Sequence, residues 1–200
     1  GCDLCANPQS WSDDSRKVIS FLKESRDSAH LQGIQPAVLP YFLARLSSSL
    51  QRPLMLVTAT DQEAEKLVEN LLFFSGKNDA NGNFFLGNRV WHFPSRTGYK
   101  AQWLGKMEIS ARRLEALYAL RAARSPILLV TSLLAILELL PPPDLLFRES
   151  DYLIPGEQID LQRFRQRLIV RGYSPVSLVE EYGDFSVRGG ILDIYAPLYR

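Results

Sequence analysis

Leu54-Met55-Leu56-Val57, followed by Thr60-Asp61-Gln62-Glu63 and then by Ala64, Leu67, Val68, Leu71 and Leu72, is the stretch that decides the fold. The first four residues are a continuous apolar run, the pattern of a strand buried on both faces of a sheet. The next four form a capping box, in which the side chains of Thr60 and Glu63 each satisfy a backbone amide at a helix start. The apolar residues beyond recur at helical spacing. A buried strand running into a capped helix is the repeating unit of an α/β protein.

The same unit extends in both directions. Upstream, Val18, Phe21 and Leu22 predict a short helix over 15–24, started by Ser12 or Asp13. Val38, Leu39, Phe42, Leu43 and Leu46 predict a second helix over 36–50, with its prolines in the first turn. Downstream, residues 89–93 read as a strand, 107–123 as a helix, Ile127-Leu128-Leu129-Val130 as another buried strand, and 133–140 as a helix stopped by Pro141-Pro142-Pro143. Alternating strands and helices predict a parallel sheet flanked by helices. After the proline triplet the texture becomes α+β. Strands are expected at 152–154, 176–180, 185–188 and 191–195, with a helix started by Asp160 and ended by Gly172. The reading divides the chain into a tail (1–27), an α/β domain (28–144) and the start of a smaller α+β domain (145–200). The last strand lies at the end of the sequence, so the natural protein is expected to continue.

The 200 residues carry 23 basic and 22 acidic side chains, a formal net charge of +1, and 46% hydrophobic residues. That is enough apolar material for a core, and the charge balance argues against a general polyanion binder. Two cysteines, Cys2 and Cys5, favour a reducing cytoplasm over a disulfide framework. They are half of a zinc site with no second pair, so no metal is expected. No apolar run reaches the about 20 residues of a membrane span.

A phosphate loop should precede the second helix if this were an active nucleotide-binding domain. Such a loop needs glycines, a lysine for the phosphate charge and a hydroxyl for magnesium. The segment here is Gly33-Ile34-Gln35-Pro36-Ala37-Val38-Leu39-Pro40, with one glycine, Leu39 in the lysine position and Pro40 in the hydroxyl position. Neither cofactor nor catalytic residue is expected in this chain. The residues read as a degenerate phosphate loop (Gly33, Pro36, Leu39, Pro40).

Gly172-Tyr173, followed by the run from Val179-Glu180-Glu181-Tyr182-Gly183-Asp184-Phe185-Ser186-Val187-Arg188 to Gly189-Gly190-Ile191-Leu192-Asp193-Ile194-Tyr195, is the most distinctive segment. It resembles the amino-terminal region of the transcription-repair coupling factors, the Mfd family, and more distantly the excinuclease subunit UvrB. The Phe93-Pro94 segment, the Ser110-Ala111-Arg112-Arg113-Leu114 helix and the Val130-Thr131-Ser132 turn agree in order, so the resemblance covers about residues 28–200. It implies a RecA-like body followed by a domain that docks UvrA. Leu39 and Pro40, and a segment between Phe93 and Met107 (with Tyr99 and Trp103) too short for the UvrB hairpin, favour the coupling factor. In that family a motor beyond this region uses ATP and magnesium to move on DNA and displace stalled RNA polymerase. The resemblance therefore implies a UvrA-recruiting module without an ATP site of its own. The alternatives are a UvrB-like excinuclease subunit that binds ATP and damaged DNA, and a purely structural scaffold.

Within the resemblance, Arg188 matches a family arginine in the UvrA contact. Its planar fork suits a partner carboxylate, although a pair with Glu180, Glu181 or Asp184 is the plainer reading. A second family arginine is replaced by Ser174, and Arg171 is its candidate substitute. Strand alternation puts Ser186 and Arg188 on one face and Phe185 and Val187 on the other. Arg96, Lys100, Lys106, Arg112, Arg113, Arg121 and Arg124, with Tyr99 and Trp103, form a basic stretch that can meet nucleic acid or be a solvated helix face.

Overall fold

The computed structural model describes residues 8–25, 27–74, 89–97, 106–122, 126–148 and 150–197. Cys2, Cys5, Tyr99, Lys100, Trp103, Arg124 and the expected polar loop over 77–88 lie outside the described residues.

Three parallel strands, β1 (Leu54–Thr58), β2 (Val90–Phe93) and β3 (Leu128–Ser132), form a sheet in the order β1-β3-β2. Leu54 aligns with Leu128 on one side and Val90 with Leu128 on the other. Helices α1 (Pro8–Glu24), α2 (Leu39–Leu50) and α3 (Asp61–Phe74) cover one face. There Ile19, Phe42, Leu46, Ala64, Leu71, Leu128 and Val130 make the main core. Helices α4 (Lys106–Ala122) and α5 (Leu133–Leu137) lie on the other, where Phe93, Ala116, Leu129 and Ala135 pack with Trp91 and Leu117. This is the α/β sheet that the alternating pattern predicts.

Several expected details differ. β3 is buried on every residue, as a central strand should be, but Met55 and Val57 of β1 are exposed. β1 is an edge strand, and the second core, which contains α4, draws its strand residues from β2 and β3. Phe21 is exposed and Ile19 takes its place in the core. α1 begins at Pro8, before Ser12 and Asp13. α2 begins at Leu39 because 36–38 form a turn closed by the Val38 and Leu39 amides donating to the Gln35 carbonyl. α5 ends at Leu137 because Glu138 turns into extended backbone, where its carboxylate reaches Arg113.

The capping box forms with a one-residue shift. The Glu63 amide donates to Thr60 Oγ1 at 3.2 Å, and Glu63 Oε2 accepts from the Ala59 amide at 3.1 Å.

After α6 (Pro143–Arg148), residues 151–160 run without regular structure into α7 (Leu161–Val170). Residues 152–154 are exposed and pair with no strand, contrary to expectation. Asp160 caps α7 by accepting from the Gln162 and Arg163 amides at 3.0 and 3.1 Å. Gly172, at φ 87°, closes it in a Schellman arrangement, with the Tyr173 amide donating to the Leu168 carbonyl and the Gly172 amide to the Ile169 carbonyl.

A second, mixed sheet follows in the order β4 (Ser174–Pro175), β5 (Asp184–Arg188), β6 (Ile191–Ile194). β4 is parallel to β5, and β6 is antiparallel to it. The strand expected at 176–180 reduces to the Ser174–Pro175 bridge. Pro175 has no amide for a ladder, and the Asp184 carboxylate draws the Glu180 and Glu181 amides into a turn. Phe164 and Leu168 of α7 pack on Phe185, flanked by Tyr173, Leu192 and Ile194.

Candidate partner-docking surface

The β5–β6 hairpin is built from its turn outward. Arg188 aligns with Ile191 across a two-residue loop, and both loop residues, Gly189 at φ 54° and Gly190 at φ 96°, have positive φ. That is the twist of the tight hairpin turn that glycine adopts without steric cost. The turn fixes the register, and the register places Arg188 at the tip.

Burial along β5 does not alternate. Phe185 and Ser186 are 1% and 5% exposed, whereas Val187 is 37% exposed and Arg188 is also exposed. The inner half of the strand is covered on both sides and the outer half on neither. Ser186 and Arg188 share a face, as expected, but Ser186 is covered there, and Val187 is exposed instead of packing inward with Phe185. The Arg188 side chain folds back over its own strand. Its Nε donates to Ser186 Oγ at 3.2 Å and its Nη2 donates to the Ser177 carbonyl. Ser186 is therefore a support beneath Arg188, not a surface contact.

Among the described residues, Arg188 has no acidic partner. Asp184 is engaged with the Glu180 and Glu181 amides, so it does not form the intrachain pair expected of it. Ser174 is exposed, and its amide donates to the Gly183 carbonyl at 2.8 Å. Arg171 sits at the end of α7 in an ion pair with Asp151, which also takes Arg167 at 3.2 Å. Arg171 is thus committed within the chain. No local spacing in the sequence links Asp151 to α7. Arg163 and Arg165 also project from α7, both exposed.

The loop in the phosphate position is partly absorbed into the core. Ile34 and Leu39 pack against it, Pro40 is buried, and Gly33 (φ 78°) and Pro36 are exposed.

Among the described residues of the basic stretch, two arginines are engaged within the chain. Arg113 is 3% exposed, with its guanidinium 4.0 Å above the Phe93 ring and Nη1 2.8 Å from Glu138. Arg112 pairs with Glu108 one turn away at 2.7 Å. Burial lowers the Arg113 pKa from its ordinary value, and the Glu138 charge opposes that shift. Beside this pair, at the carboxyl end of the sheet, Asp61 accepts from the hydroxyls of Ser95 and Ser132 and ties the ends of β2 and β3 to α3. Among the described residues, no cluster of His, Cys, Asp and Glu has the makings of a metal site, and no helix is long and apolar enough to cross a membrane.

Residues 152–200 match the family model described as the UvrB interaction domain. Over most of its length the chain is similar to transcription-repair coupling factors. It is 32% identical to that of Myxococcus xanthus over 175 residues, covering 84% of this chain and 14% of the relative. It is 27% identical to that of Bacillus subtilis (strain 168) over 186 residues, covering 92% of this chain and 15% of the relative. The similarity to the Staphylococcus aureus (strain USA300) protein is 25% over 164 residues, or 82% of this chain. The chain thus spans about 15% of the length of the Bacillus subtilis relative.

Proposed function

We propose that this chain is the UvrA-recruiting module of a transcription-repair coupling factor, acting in the cytoplasm in transcription-coupled nucleotide excision repair. Residues 145–200 belong to the docking domain, and residues 28–144 are the UvrB-like body that carries it. The observation that carries the reading is the match of 152–200 to the UvrB interaction domain on a segment whose hairpin holds Arg188 in the open, away from any described carboxylate.

The chain is read as a binding module, not an enzyme. Its 33–40 segment carries no lysine, turns Leu39 into the core and uses the Val38 and Leu39 amides on the Gln35 carbonyl, which supports that reading. In the whole protein, an ATP- and magnesium-dependent DNA translocase that removes stalled RNA polymerase would lie elsewhere in the polypeptide. Arg188 is the principal docking residue in this reading, and Ser174 is exposed at the other end of β5, aligned with Asp184. Calorimetric titration of purified UvrA into the folded chain tests the proposal. Saturable binding is expected, and its absence with a chain shown to be folded by circular dichroism contradicts it.

A further inference from the structure

Helix α4 is covered on two sides. Ile109, Arg113 and Ala116 on one side are buried, and Ala116 belongs to the core against β2 and β3. Met107, Ala111 and Tyr118 repeat at helical spacing on the other side, and the small unit of α7 and β4–β6 meets α4 there. A methyl placed on Gly183 would stand 2.6 Å from Met107 Cε, so the turn before β5 sits directly on that side chain. The exposed Tyr152 lies within side-chain reach of Tyr118. Tyr182 lies within the electrostatic reach of Glu108 and Glu115, and its ring centroid is 4.4 Å from that of Tyr195. Ala111, midway along this side, is 2% exposed.

The connection between the sheets is also pinned. Glu138 accepts from the Arg96 amide at 2.7 Å and pairs with Arg113, and Asp151 is held by Arg167 and Arg171 on α7.

Units joined through a modest polar interface ordinarily reorient against each other. We infer that here they do not: α4 is a rigid mount that holds the small unit in one orientation, with Gly183 buried against Met107 and the Arg188 hairpin exposed. The mount fixes the direction from which a partner can approach. This inference concerns the chain alone and stands whether or not UvrA is the partner.

Backbone nitrogen relaxation on the whole chain tests it. Amides in α3 and β3 and amides in α7 and β5 are expected to report one common rotational correlation time. In a Met107→Glu, Tyr118→Phe double variant, the value for α7 and β5 is expected to fall by roughly half while α3 and β3 keep theirs. Arg188→Ala, distant from the mount, is expected to leave both unchanged. Two different correlation times in the unaltered chain overturn the inference, whatever the variant does. A common value that survives the double variant in a folded chain overturns the assignment of the mount to this side of α4.

Discussion

Arg113 and Glu138 meet inside the protein, with Nη1 and Oε2 2.8 Å apart and side chains only 4% and 17% exposed. The pair spans α4 and the end of α5, and Arg113 also donates to the Pro94 carbonyl at 2.6 Å, so one guanidinium joins a helix, a strand end and the start of the connection to the small unit. Removing one member leaves the other charge buried. Arg113→Met is expected to lower unfolding stability by about 3 kcal/mol. The Arg113→Met, Glu138→Gln double variant should recover part of that loss, because no unpaired charge remains. Urea melts of the unaltered chain, the two single variants and the double variant decide the matter, and additive losses would show that the two residues do not act as a pair.

Asp160 caps α7 through its side chain, with both of its bonds going to first-turn amides. Asp160→Ala is expected to cost about 1 kcal/mol, and Asp160→Asn much less. The loss should appear in amide exchange of α7 and β5, whose packing is shared through Phe164 and Phe185. Uniform loss across the large sheet would contradict this placement.

The hairpin turn offers a sharper contrast. Gly189 lies at φ 54° and Gly190 at φ 96°. Asparagine tolerates the first conformation, whereas a β-carbon is strained in the second, so Gly189→Asn should be close to neutral and Gly190→Ala should cost about 1 kcal/mol or more. Thermal melts distinguish them, and equal effects would mean that the turn is not of this type.

Alkaline pH should loosen the small unit. The Tyr182 phenol is raised above its ordinary value first by burial and then by the Glu115 charge, and Tyr173 is raised by burial against the opposing charge of Arg171. A phenol whose folded pKa is raised keeps its proton longer in the folded state. Its contribution is full below the ordinary value of 10.0 and is lost as pH rises through that value towards the folded one. Unfolding stability measured from about pH 9 to about pH 12 should therefore fall, and less steeply in Tyr182→Phe and Tyr173→Phe. An unchanged slope in both variants would contradict the assignment.

Local signals made much of this fold legible. The Thr60–Glu63 box, the Asp160 cap, Gly172 at the end of α7 and the glycine pair at the hairpin each act within a few residues of themselves, and each appears where the sequence places it, the box with its return bond shifted by one residue. What depended on distant chain was not legible. Met55 and Val57 are exposed because β3 inserts between β1 and β2, a matter of strand order that no local pattern carries. Arg113 looks like one more basic residue on a helix until Glu138 arrives from beyond β3. Ser186 is covered by the folded-back Arg188, which simple strand alternation does not foresee. Asp151 takes up Arg171, and nothing in the spacing of α7 announces it.

The central proposal, docking of UvrA through the hairpin tip, is tested most directly by titrating UvrA into the chain and into its Arg188→Glu variant, with circular dichroism showing that both are folded. The account predicts that the reversal weakens binding by about 2 kcal/mol or more, roughly thirtyfold in Kd. Equal affinity of the two folded proteins would contradict it.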